Sequence, residues 1–149
     1  MDIYARVCDH LRTLNLETPR LNSSGKQIIQ EDKGPQDNER DIAVQSVPTG
    51  TAERDHARNR SLPLLVQITV KNVNQKQAYD DAWKIAGSFD MLPRIENREW
   101  VTLASSDGSF LFESSETTNY PRNIGQAEHD AYFYAITIKL NITLGGNKL

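Results

Sequence analysis

One cysteine, Cys8, in a chain of 149 residues leaves no internal disulfide to staple the fold, which fits a reducing compartment. Apolar runs are short: none approaches the roughly 18 residues that a membrane-spanning helix needs. The opening Met1-Asp2-Ile3-Tyr4-Ala5-Arg6 has no basic start leading into an apolar stretch, so no secretory leader is expected and the expected setting is cytosolic. Positive charge is not in surplus either, with 17 Lys and Arg against 20 Asp and Glu and a formal charge of −3. A general nucleic-acid coater needs the opposite balance to displace counterions.

Catalytic constellations are also missing. His10, His56 and His129 lie far apart, with no pair at i, i+4, so no zinc site is expected. There is no glycine-rich phosphate loop, nucleophile elbow or dinucleotide fingerprint. Cys8 sits among the apolar positions of a helix and reads as packing. Asp80 and Asp81 are helix neighbours that point in divergent directions, which reads as a solvated face rather than an acid–base pair.

The composition is that of a folded domain: 38% hydrophobic, 25% charged, 8 Gly and 6 Pro, compatible with one core in one domain, residues 1–149. Residues 2–15 carry Ile3, Val7, Leu11 and Leu14 at helical spacing. Gln27 to Glu31 suits a short strand, and residues 41–47 a strand with Ile42 and Val44 on one face. Leu64, Val66, Ile68 and Val70 alternate through the next strand, residues 64–71. Asn74 then opens a helix, with Gln77 completing a capping-box pattern. Its core stripe is Ala78, Ala82, Ile85, Ala86 and Phe89, and Tyr79 and Trp83 form an aromatic flank four residues apart. Residues 99–104 and 109–113 read as strands of a hairpin turning at Asp107-Gly108. Residues 116–128 read as a long polar connection. The last strand is the clearest, with Tyr132, Tyr134, Ile136, Ile138, Leu140, Ile142 and Leu144 on every second residue.

Two features suggest contacts beyond the chain itself. Residues 49–61 carry Arg54, His56, Arg58 and Arg60, with Ala52 and Ala57 as their only apolar side chains, so a projecting polar arm is expected at about 48–61. At about 3.3 Å per residue the final strand spans roughly 40 Å, about twice the usual length. So long an apolar ribbon is expected to bend across two parts of the sheet or to pack on another subunit. The candidate interface residues are therefore Arg54, His56, Arg58 and Arg60 of the arm, and Tyr132, Tyr134 and Lys139 of the strand. The expected fold class is α+β: an antiparallel or mixed sheet with two helices on one face and the arm projecting.

The order of elements carries a resemblance. The opening helix comes first. The strand 64–71 then runs into the helix with Tyr79-Asp80-Asp81-Ala82-Trp83. Ser105-Ser106-Asp107-Gly108-Ser109-Phe110 follows, and the closing strand ends Thr143-Leu144-Gly145-Gly146. Together these resemble the tail-terminator proteins of long-tailed bacteriophages, also labelled minor capsid or tail-completion proteins. Residues 15–26 and 49–61 depart from a compact member. The resemblance implies a structural virion protein without cofactor or catalysis, which assembles in the host cytoplasm and sits at the head-proximal end of the tail. It implies a homo-oligomeric ring, usually a hexamer, that ends polymerisation of the tail tube protein. The ring would offer a joining surface to the head-completion or connector protein, with DNA only passing through its lumen and no membrane involved. The alternative from another class is a small cytosolic α+β module gripping single-stranded nucleic acid on Trp100, Phe110, Phe112 or Tyr132. A small hydrolase would need a nucleophile that the sequence does not offer.

Overall fold

The computed structural model describes residues 2–37, 39–47, 53–54, 60–126 and 131–144. Two helices, α1 (Ile3–Arg12) and α2 (Gln75–Phe89), accompany eight strands. The strands are β1 (Gln30–Glu31), β2 (Arg40–Val47), β3 (Glu53–Arg54), β4 (Arg60–Asn72), β5 (Arg94–Glu96), β6 (Glu99–Val101), β7 (Phe110–Gln126) and β8 (Tyr132–Leu144). The main sheet runs β1-β2-β4-β8-β7, with β3 paired to β4, while β5 and β6 form a separate two-stranded sheet. The β1–β2 pair is parallel and the rest are antiparallel, so the sheet is mixed. Both helices cover one face of it, and the α+β expectation holds.

Alternation sets the core. Ile42 and Val44 of β2, Val66, Ile68 and Val70 of β4, and Ile136, Ile138, Leu140 and Ile142 of β8 are all buried on that face. Ile3, Val7, Cys8 and Leu11 of α1 meet them, as does the expected stripe Ala78, Ala82, Ile85, Ala86 and Phe89 of α2. The three alanines leave little bulk on α2, so the helix lies close on the sheet. Burial pushes the Cys8 thiol up to about 12, first by desolvation, in keeping with a packing role.

The cap of α2 is half of the expected box. Asn74 Oδ1 accepts from the Gln77 N–H at 3.1 Å, while the Asn74 N–H donates to Asn72 Oδ1 at 2.9 Å. The Gln77 side chain accepts from Asn72 Nδ2 instead. Asp81 departs further from expectation. Asp80 is solvated and pairs with Lys76, but Asp81 is fully buried. Its Oδ2 accepts from the Thr18 N–H at 2.7 Å and its carboxylate also takes the Glu17 N–H at 3.1 Å. The chain leaving α1 needs an acceptor there, and a carboxylate on the α1 side of α2 supplies it.

Three sequence expectations for the second half are corrected. The hairpin is not at Asp107-Gly108: it joins β5 to β6 through Asn97 and Arg98, both at positive φ (50° and 67°), as two-residue loops matching strand twist require. Of residues 99–104, only Glu99–Val101 form strand. Asp107 folds back locally, accepting from the Ser109 N–H at 2.9 Å and Ser105 Oγ at 2.7 Å. These bonds hold its carboxyl below the usual range, and the same turn receives the Asp2 carboxylate from the start of α1. Residues 116–126 are strand rather than connection, since β7 runs on to Gln126. It forms an edge of the sheet, where one polar side is normal and Pro121 removes no ladder bond that the core needs. Its register slips at four places, between Phe112 and Ser114, Thr117 and Asn119, Asn119 and Arg122, and Asn123 and Gly125. Such bulges blunt an open edge.

Of the expected polar arm at about 48–61, residues 48–52 and 55–59 lie outside the described residues. Arg60 and Ser61 belong to β4, and Glu53↔Ser61 and Arg54↔Arg60 pair as β3–β4. The long last strand needs no sister chain. It is the inner strand between β4 and β7, paired with β4 from Asn72↔Tyr132 to Arg60↔Leu144. Leu103 and Phe110 join the buried cluster, and Leu62, Leu64, Phe112 and Leu144 pack against it. The ribbon is covered within one molecule, so its length argues nothing about a ring.

Candidate interaction surface

Among the described residues, no group of three or more His, Cys, Asp or Glu could hold a metal ion, and no helix is long and apolar enough to cross a membrane. Apolar surface that the fold leaves open is a better guide to what the chain does. Several such side chains, including Met91 and Leu111, stand singly and need no explanation. Two groups do not.

The first is an aromatic ladder on the β7 flank of α2. Helical spacing puts Tyr79 and Trp83 one turn apart, with ring centroids 6.2 Å from each other. Trp83 stacks on Tyr120 of β7 at 5.6 Å and 27°. Tyr79 meets Tyr134 of β8 edge-on at 6.0 Å. Tyr134 is buried, whereas Tyr79, Trp83 and Tyr120 are 49%, 42% and 46% exposed. The Tyr120 hydroxyl donates to Asp90 Oδ2 at 3.2 Å. Desolvation, then the bond to this carboxylate and its charge, hold the phenol above its ordinary value. Gln75 Nε2 donates to the Tyr134 hydroxyl at 3.3 Å. The rings are thus fixed by one another and by two polar tethers.

The second group is on the β5–β6 hairpin. Ile95 and Trp100 are direct cross-strand partners, 71% and 63% exposed. Arg94 ties the hairpin to the end of α2: its Nη1 donates to the Ser88 carbonyl at 2.8 Å and the Asp90 carbonyl at 3.0 Å, and its Nε pairs with Glu96 at 3.0 Å. A cleft of about 430 Å³ lies between hairpin and helices, lined in part by Lys84, Ser88, Arg94 and Glu96. His10 borders it, hydrogen-bonded through Nε2 to Ser88 Oγ and edge-on to Phe89 at 4.7 Å. Desolvation, reinforced by the nearby Arg94 charge, lowers His10 to about 4, so it is neutral at ordinary pH.

The residues expected to form an interface are not brought together. Arg54 and Arg60 pair through their backbones, and His56 and Arg58 lie outside the described residues. Tyr132 is half-buried and Tyr134 buried on the helix-covered face, while Lys139 lies half-buried on the other face, between Leu65 and Glu116. A base-stacking face is not assembled either. Trp100 is on the small hairpin, Phe110 is in the core, and Phe112 and Tyr132 flank opposite ends of β8. The Tyr79–Trp83 flank was legible from helical spacing. Tyr120 was hidden in what reads as loop, and the Ile95–Trp100 pair has no signal beyond two apolar residues in a polar stretch.

A family model described as bacteriophage tail terminator protein matches residues 28–144, from the start of the sheet to the end of β8. No curated protein matches the chain.

Proposed function

The chain belongs to the bacteriophage tail terminator proteins and is thus a structural component of the virion tail; from that premise we propose that it caps the tail tube as a closed ring. The ring is sixfold, sits at the head-proximal end, stops tube polymerisation and offers a joining surface to the head connector. Its work is structural rather than catalytic. The observation that carries the reading is the family match across nearly the whole sheet, and the two separate exposed apolar groups are compatible with it.

A ring requires a heterologous interface, one patch docking on a different patch of the next copy, with a rotation that closes. Its two axial faces must differ, one accepting a tube subunit and the other refusing it. Each contact can be weak, because a ring engages many sites at once. Arg54, His56, Arg58 and Arg60 are proposed to meet tube or connector, with Lys139, on the sheet face that the helices leave free, nearer the subunit boundary; Tyr134 is buried and Tyr132 packs against the core, so neither is assigned to a contact. A formal charge of −3 suits a lumen that does not retain passing DNA.

The test is to add the purified chain to polymerising tail-tube subunits and measure tube length by electron microscopy. Capping predicts shorter tubes with extra density at one end only. Tubes of unchanged length with bare ends would refute it.

A further inference from the structure

We propose that copies of this chain bind head to tail, the β5–β6 hairpin of one copy seating Ile95 and Trp100 on the Tyr79–Trp83–Tyr120 ladder of the next. This rests on the ring reading and names the contact that would close it.

Three observations point to a second copy as the occupant. First, the two patches differ in shape and stand on different flanks of α2. The ladder is on the β7 side, where Trp83 stacks on Tyr120. The hairpin is on the α1 side, where Arg94 and Glu96 line a cleft with Lys84 and His10. One chain therefore carries both halves of a heterologous contact, and its own hairpin is not seated on its own ladder. Second, the hairpin tip brings a cation toward an acidic border. Arg98 is exposed and makes no ion pair among the described residues, with Glu96 and Glu99 beside it on the hairpin. The ladder is bordered by Asp80, held in an exposed pair with Lys76, and by Asp90, which accepts from the Tyr120 hydroxyl. An arriving Arg98 competes with Lys76 for Asp80 and lies against half-exposed rings.

Third, the areas are in proportion. Three aromatic side chains bury about 150–250 Å² each when fully covered, so a ladder roughly half exposed offers on the order of 300 Å² of apolar surface. One side of a standard interface covers about 800 Å². The ladder is thus the size of an interface centre, which polar residues such as Lys76, Asp80 and Gln75 would surround. The hairpin is already rigid: Arg94 fixes its base and the Asn97-Arg98 turn fixes its tip, so little ordering remains to be done on binding.

The test uses the full chain and two variants, Trp100→Ser and Trp83→Ser, in sedimentation velocity across a concentration series. Circular dichroism checks the folds; Ile95→Asp and Tyr120→Ser replace either variant that unfolds. The wild-type chain is expected to self-associate, and each variant alone to do so at least tenfold more weakly. Mixed in equal amounts, the variants should form a one-to-one complex that grows no further, since the intact hairpin of one meets the intact ladder of the other. Variants that assemble like the wild type would overturn the contact and leave the ring to another surface. Loss in both variants without rescue on mixing would overturn the pairing of these two patches. A wild-type chain that stays monomeric up to millimolar concentration would also overturn it, because the contact needs no tube; tube capping is judged separately by microscopy.

Discussion

Replacing Asp81 by alanine should cost this protein much of its stability, although the residue sits in a helix beside a solvated aspartate. The Asp81 carboxylate is buried and receives the Glu17 and Thr18 backbone N–H groups, the latter at 2.7 Å. Alanine removes both acceptors and strands two donors, one of them fully inside. A hydrogen bond to a charged group contributes roughly 1.5–3 kcal/mol, and an orphaned buried donor costs about 1–3 kcal/mol. Asp81→Ala should therefore lower the unfolding free energy by about 3–5 kcal/mol, a large share of the roughly 5–15 kcal/mol typical of a domain. Asp81→Asn keeps one acceptor oxygen and should cost about half as much. Asp80→Ala removes only an exposed i, i+4 pair with Lys76 and should change stability by no more than about 0.5 kcal/mol. Urea titrations followed by tryptophan fluorescence, which Trp83 and Trp100 supply, measure all three. Equal losses for Asp80→Ala and Asp81→Ala, or a loss under about 1 kcal/mol for Asp81→Ala, would refute the assignment of Asp81 as the tie between α1 and α2.

Acid should loosen the same region through His10. Its pKa is about 4 folded against 6.5 unperturbed, so between those values the unfolded chain binds the extra proton. Stability should then fall as pH drops from about 6.5 to 4, by about 3 kcal/mol in total; His10→Gln should flatten that slope, and an unchanged slope would contradict it. Asn74→Ala removes the oxygen that caps the Gln77 N–H and should cost about 1 kcal/mol, read from the urea midpoint, with a change under about 0.3 kcal/mol counting against the cap.

Local rules carried the elements whose burial is one-sided. Alternation in β4 and β8 and the alanine-rich stripe of α2 announce their inner faces, and each lies where the pattern puts it. What the pattern misses is relational. Residues 116–126 look like loop because polar residues on an edge strand answer to solvent and to the pairing with β8, which no local window contains. Asp107-Gly108 carries a strong hairpin signal, yet Asp107 has serines within reach on both sides and satisfies them locally, while Asn97-Arg98 takes the turn. Asp81 looks solvated because its partners lie 63 and 64 positions away. The length of β8 suggested a neighbour, but an inner strand closed by Leu103 and Phe110 needs none. The interaction surface was half legible: Tyr79 and Trp83 at helical spacing are visible in the sequence, and Tyr120 joins them only through the fold.

The most direct measurement is electron microscopy of phage particles assembled without this chain. Tube capping predicts tails of uncontrolled length and heads left unjoined, with both defects repaired when the chain is supplied. Tails of normal length attached to filled heads in its absence would contradict the account.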